Sequence, residues 1–534
     1  MKLHIYLSLC FIGLLATSCI EDESNEQFSM RTPIVIDLNK GPESYTIVQY
    51  SRLRIAPLVY REGLPDADLA FKWELIGTDL REEIGHEMVF DDIIHLPASP
   101  DTYTIMLTVT DKTSGIINYH TWQLQITGTF ASGIVVADTK DDGRHSDLSL
   151  IRCYNFSTNW QYYDRAMDVR YENICSSMTG NVIDGKVVVM QNPPYSFYKR
   201  YLTVATDQSL FRLDPQTFQP VDSEKELFSV DPQTEKFLST YLSYSNVTRQ
   251  EHMLMNGKVY SRSTAQGNKS WGYYLYMAGD QPDYNATAIG TLETQMGQNS
   301  IIGYIFDASN GRFLQVSSND YIVPVKDGSG KFNPNNIGKH KECIYMGEAL
   351  NRMIYAVVKD NTDPAHRYEL YRLNCVADDG TNNVAVSVPT NLSSATDIDQ
   401  ARCFIPGMAD QNILFYATKD KIYSVNVLSP EINKLAYELP ENEEITSMRI
   451  WKSRSGSVHF YYPQDLYPGF GPYYRSNGDL YNWLVVITTY NPSSKEGKLR
   501  CFAQQGLGTG LMCKESEEVY GGFGRILGWC EQGD

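Results

Sequence analysis

The sequence predicts an all-β protein in two parts, an N-terminal β-sandwich followed by a β-propeller of seven or eight blades. Three observations lead there. From about Thr32 onward, short runs alternate apolar and polar residues with period two, separated by clusters of Gly, Pro, Asn and Asp. Almost no stretch keeps the 3.6-residue period of a long helix. One hairpin pattern also recurs through residues 129–534.

The 534 residues open with Met1-Lys2, a mostly apolar stretch from Leu3 to Leu15, and Ala16-Thr17-Ser18-Cys19. A basic end, a short apolar core and small residues before a cut site predict a secretory signal peptide over residues 1–18. Small side chains directly before a cysteine resemble the bacterial lipobox. That resemblance implies cleavage before Cys19 and acylation of its thiol and new amine. Each buried methylene contributes about 0.8 kcal/mol, so two or three chains anchor firmly.

Residues 19–31 include Glu21-Asp22-Glu23-Ser24-Asn25-Glu26, a solvated acidic tether that cannot pack. An acidic cluster just behind a lipidated cysteine is similar to the surface-export signal of Bacteroidota lipoproteins, which implies the outer leaflet of the outer membrane. Beyond the leader no run of 18 apolar residues appears, so no helical membrane span is expected. The balance of 46 basic against 64 acidic side chains, a formal charge of -18, argues against a nucleic-acid partner.

Residues 32–128 make the expected sandwich. Tyr45–Val48, Leu53–Ala56, Phe71–Leu75 and Tyr103–Thr110 alternate, with turn residues at Gly63–Asp66 and Pro97–Asp101. At Phe71-Lys72-Trp73 and Asp101–Asp111 the region resembles a PKD domain, which pairs a strand tryptophan with a late Y-x-V-x-L-x-V-x-D strand. Glu74-Leu75-Ile76-Gly77 departs from the acidic-glycine turn of that family, so the likeness is PKD-like. Phe71 and Trp122 are read as core residues.

A boundary is expected near Gly128-Thr129-Phe130, with residues 129–534 as the propeller. Val204–Asp214 aligns without gaps on Tyr416–Asn426, and Phe306–Val316 repeats the same hairpin more loosely. Hairpins recurring about every 50 residues read as four-stranded blades. Closure would pair Ile134–Ala137 with the last strand, Arg525–Trp529, because radial repetition leaves only short sheet edges.

Catalytic motifs are missing. His86-Glu87 lacks a second histidine four residues after the first, and neither G-x-S-x-G nor a Walker loop occurs. Gly506–Gly510 is read as a tight turn. Asp138–Gly143 starts like a calcium loop, but Lys140 occupies a ligand position and Ser149 stands where a bidentate glutamate is needed, so it too is read as a turn. Cys153, Cys175, Cys343, Cys375, Cys403, Cys501, Cys513 and Cys530 form no C-x-x-C and are read as buried small hydrophobes. No catalytic residue, metal or cofactor is expected.

Rings concentrate instead. His459–Arg475 is packed with aromatics yet broken by Pro and Gly, so it reads as a long loop between Met448–Lys452 and Trp483–Thr489. Tyr461, Tyr462, Tyr467, Tyr473, Tyr474 and Arg475 are its candidate ligand contacts: tyrosine planes stack on sugars, and hydroxyls with a guanidinium hold peptide backbone or carboxylate. Pro193–Tyr201 has the same character and adds Tyr195 and Tyr198. Trp271–Tyr276 alternates better and is read mostly as strand.

The order of lipobox, acidic tether, PKD-like module and long β region resembles the PKD-like lipoproteins of Bacteroidota, and Ala137–Leu150 is similar to their junction. The resemblance implies a non-catalytic, surface-exposed outer-membrane lipoprotein that accompanies a SusC-like TonB-dependent barrel and a SusD-like lipoprotein. Its implied ligand is an oligopeptide ahead of an oligosaccharide. Two other readings stay open: a surface hydrolase using paired carboxylates in a propeller cleft, and a purely structural scaffold of the uptake complex.

Overall fold

The computed structural model describes residues 33–38, 41–49, 52–61, 68–96, 99, 101–128, 130, 133–152, 169–180, 182–192, 201–245, 248–263, 273–279, 282–293, 301–325, 330–375, 384–385, 387–407, 412–451, 484–502, 504–505, 509–514 and 517–532. The chain is all-β and divides into two compact units, Met1–Ile126 and Thr127–Asp534.

In the first unit a five-stranded sheet runs in the order Ser44–Val48, Ile117–Thr127, Thr102–Asp111, Leu69–Ile76, Arg81–Gly85, the last four antiparallel. Two short pairs accompany it, Val35–Asp37 with Leu58–Tyr60 and Arg52–Ile55 with Phe90–Ile93. All three sheets feed one core, because alternation turns every second side chain of each strand inward. Trp73 and Trp122 stack at its centre, ring centroids 5.4 Å apart, and the Trp73 indole N–H donates to the Glu87 carbonyl at 2.7 Å. Phe71 is half-buried at the rim of this core, whereas Trp122 is fully inside. Asp111, the acid closing Thr102–Asp111, pairs with buried Arg61 and accepts from the Thr113 amide at 2.8 Å.

The second unit is a succession of four-stranded antiparallel meanders. Blade 1 begins at Val187–Gln191, blade 2 at Ser239–Ser245 and blade 3 at Ala286–Thr291. Blade 4 begins at Lys341–Ala349, blade 5 at Cys403–Pro406 and blade 6 at Glu444–Trp451. A closing blade joins both ends of the unit: Arg525–Gln532 pairs with Gly133–Thr139, followed by His145–Arg152 and Val169–Tyr171. The first strand of each blade packs on that of the next, and Arg525–Gln532 packs on the first strands of blades 6 and 1. Seven sheets among the described residues therefore close a ring, the architecture of a β-propeller.

Position in the blade explains composition. Second strands such as Ile301–Asp307 and Ile413–Ala417 are buried on both faces and read as continuous apolar runs, because neighbouring blades cover both sides. Outer strands such as Pro220–Ser223 and Ile322–Pro324 are short, and Pro220–Ser223 is largely exposed, which limits the free edge. In blade 2 the second and third strands turn through Asn256 and Gly257, with φ of 50° and 73°, the two left-handed residues that a tight hairpin needs. A Cβ at Gly257 would also have to displace the Asn285 side-chain amide.

The hairpin echo falls on equivalent elements. Val204–Asp214, Phe306–Val316 and Tyr416–Asn426 each span the second and third strands of their blades. Trp271–Tyr276 is largely extended where described: Tyr274 forms a bridge with Phe228 and packs on its ring, and Leu275–Tyr276 is the outer strand of blade 2. Of the seven described cysteines, all but half-buried Cys403 are buried. Among the described residues no helix is long and apolar enough to cross a membrane.

Candidate functional site

A ring of four-stranded meanders has two unlike ends. Connections from first to second and from third to fourth strands share one end, called here the loop end. Turns from second to third strands and the links between blades share the other, the turn end. The inner strands keep this register: the Asn192 amide, just after Val187–Gln191, donates to Gln532 at the finish of the last strand at 2.5 Å. Turns at the turn end are short, as at Asp207–Ser209 and Asn256–Gly257.

Both aromatic segments depart from the loop end. Residues 193–200 link the first two strands of blade 1, and residues 452–483 link those of blade 6. The candidate residues themselves, Tyr195, Tyr198, Tyr461, Tyr462, Tyr467, Tyr473, Tyr474 and Arg475, lie outside the described residues, as does Cys19 with the leader and tether.

At the root of the blade 1 segment is a buried charged cluster absent from the sequence reading. The Arg212 guanidinium lies 5.0 Å from the Tyr201 ring, where the aromatic run re-enters the blade. In blade 2, Glu251 and Arg262 stand directly opposite on neighbouring strands and form a buried ion pair. Tyr274 is shared between the two guanidinium groups, at 5.5 Å from Arg212 and 5.6 Å from Arg262. Asp222 approaches Arg212 at 3.5 Å.

Burial, then the nearby Arg262 charge, lowers the Arg212 pKa. Burial also opposes the Arg262 charge, but the Glu251 carboxylate outweighs it and the pKa rises. Burial pushes the Tyr274 phenol up, keeping it a neutral hydroxyl. Beside them His252 is pushed down to about 4 by burial and is uncharged at neutral pH. Desolvated charges held by directed partners tolerate little displacement, so this cluster makes a stiff footing for the connection above it. A signal existed in the sequence: Gln250-Glu251-His252 puts polar residues on both faces of a strand that is otherwise central.

At the turn end, a cavity of about 370 Å³ is lined by Asp420, Glu438, Glu441, Glu443 and Glu444. Two of these acids, Glu443 and Glu444, are held as anions by nearby cations. Burial works against Glu443, yet Lys498 and Arg500, both at 2.8 Å, hold its carboxyl below the usual range. Burial is likewise outweighed at Glu444 by Lys419 at 3.2 Å. A carboxyl acting as proton donor needs the opposite shift.

Asp138–Gly143 is a strand-end turn. Asp138 accepts from the Gly524 amide at 2.6 Å, and Asp141 accepts from the His145 amide at 3.0 Å. Among the described residues no group of three or more His, Cys, Asp or Glu is placed to hold a metal ion.

No protein-family model matches this chain, and no curated protein does. Solved structures give remote likenesses. A quinonprotein alcohol dehydrogenase-like protein from Bacteroides thetaiotaomicron is 12% identical with a TM-score of 0.37, covering 93% of this chain and 99% of that one. The N-terminal domain of Nup159 is 10% identical with a TM-score of 0.33, covering 67% and 87%. KlHsv2 with loop 6CD replaced by a Gly-Ser linker is 8% identical with a TM-score of 0.31, covering 75% and 99%. The propeller assignment rests on the sheet order and ring closure described above.

Proposed function

We propose that the protein is a non-catalytic, lipid-anchored outer-membrane lipoprotein that captures nutrient at the cell surface. In this reading Cys19 carries the lipid, the acidic tether clears the membrane, and the PKD-like first unit spaces or docks the ring. The ligand is an oligopeptide ahead of an oligosaccharide, delivered to a SusC-like TonB-dependent barrel and its SusD-like lipoprotein.

The observation that carries the reading is the common origin of the two tyrosine-rich segments. The strands on either side of 193–200 and 452–483 meet them at the same end of a rigid ring. Long connections on a stiff scaffold are where binding residues concentrate. Tyrosine gives such a surface large contact area at low entropy cost. The buried Arg212, Glu251 and Arg262 cluster supports it further, since a contact surface gains from a preorganised footing.

The test is co-purification of a tagged full-length chain from detergent-solubilised outer membrane of its native cells, with palmitate labelling in parallel. The expected result is a labelled protein that elutes with a TonB-dependent barrel. An unlabelled protein recovered alone would contradict the proposal.

A further inference from the structure

A second concavity lies at the turn end, away from both aromatic segments. It encloses about 480 Å³ between blade 6, the closing blade and the start of blade 1. Lys140, Lys186, Lys495 and Arg525 line it, with Asp142 as the one acid among its lining residues. Four cations gathered around one carboxylate run against the formal charge of -18 on the whole chain. Like charges repel, so this local excess attracts an anion from solution.

Among the described residues the cations are not consumed by internal ion pairs. Among the described residues Lys186, Lys495 and Arg525 have no carboxylate within ion-pair distance, and the Lys140 ammonium donates to the neutral Asn173 side chain at 2.9 Å. The nearby acids are already engaged. Asp141 accepts from the His145 ring at 2.6 Å, Asp207 from the Lys186 amide at 2.8 Å, and Glu496 from the Gly522 amide at 3.1 Å.

The backbone beneath the cations is also fixed. Lys186 is held through its amide by Asp207, and Arg525 pairs in register with Thr139. The turn carrying Lys495 is tied by Asn491, which accepts from the Ser493 amide at 2.9 Å and the Ser494 amide at 3.1 Å. The Arg525 guanidinium lies 4.6 Å from the Tyr490 ring centroid, an arrangement that orients its planar fork. Such a fork engages a carboxylate or phosphate through two parallel N–H···O bonds, while ammonium groups supply adaptable point charges.

We propose that this pocket is a binding site for a small oxyanion of two or more negative charges, with Arg525 gripping one anionic group and Lys140, Lys186 and Lys495 engaging the others. The residues come from turns far apart in the chain, so the site exists only in the closed ring. It is independent of peptide capture at the loop end.

Calorimetric titration of the full-length protein with citrate and with pyrophosphate tests it, the two arms separating carboxylate from phosphate chemistry. Saturable binding by at least one is expected, weakened at least tenfold by the double variant Lys186→Gln/Arg525→Gln and strengthened by Asp142→Asn. Added salt should weaken it as well. The melting temperature of the double variant without ligand should match the parent, because both side chains are exposed. No binding of either anion, or equal binding by parent and double variant, would overturn the proposal.

Discussion

Val136 in the first strand of the ring lies opposite Trp529 in the last, within one antiparallel ladder. The Trp529 ring is buried in the core shared by the closing blade and its neighbours, with the Arg449 guanidinium 4.9 Å from its centre. The two ends of a unit of about four hundred residues are thereby part of one sheet, and every blade depends on that seam for its place.

Loss of the seam should be severe. Trp529→Ala removes a fully packed ring and should destabilise the propeller by about 3–5 kcal/mol. Truncation before Arg525 should abolish its cooperative transition. Urea unfolding followed by circular dichroism measures both, with the first unit expected to unfold separately.

Trp73 gives the matching experiment in the first unit. Trp73→Ala should cost about 3–5 kcal/mol there and leave the propeller transition in place, since the ring stacks only within its own core. Differential scanning calorimetry separates the two transitions.

The Glu443 network should respond asymmetrically. Glu443→Ala leaves buried Arg500 with Glu517 as its one carboxylate partner among the described residues and part of its guanidinium unsatisfied, and should cost about 1–3 kcal/mol. Glu443→Gln keeps the hydrogen-bonding shape and should cost less. Chemical denaturation of both variants checks the order.

Acid should weaken the propeller through Asp360. Burial alone would raise this carboxyl, but the Thr362 hydroxyl and amide, followed by His340 at 3.1 Å, lower it to about 2. The folded value lies below the ordinary aspartate value of 3.8, so the stabilisation is fully present above about pH 4. It is lost as pH falls from there through about 2. Asp360→Asn should lower stability at neutral pH and flatten the dependence between pH 4 and 2 (about the window set by those two values), measured by unfolding at fixed pH.

What the sequence could convey depended on distance along the chain. The all-β class and the repeated hairpins were legible, because Val204–Asp214 and Tyr416–Asn426 carry the same short-range alternation into the same position of two blades. The pairing of Ile134–Ala137 with Arg525–Trp529 was also legible, from the logic that a ring must close its edges. The buried Arg212, Glu251, Arg262 and Tyr274 cluster was not, since period-two patterning sorts residues by face and is silent on which blades meet. Lys140, Lys186, Lys495 and Arg525 were hidden for the same reason: each sits beside a turn where a cation is ordinary, and only the closed ring makes them neighbours.

Replacing Tyr461, Tyr467, Tyr473 and Tyr474 together by alanine, then measuring oligopeptide binding and melting temperature on the same preparation, tests the central claim most directly. A binding surface rooted on a rigid ring predicts at least a tenfold loss of affinity with the melting temperature unchanged. Unchanged affinity, or a large fall in melting temperature that accounts for the loss, would contradict it.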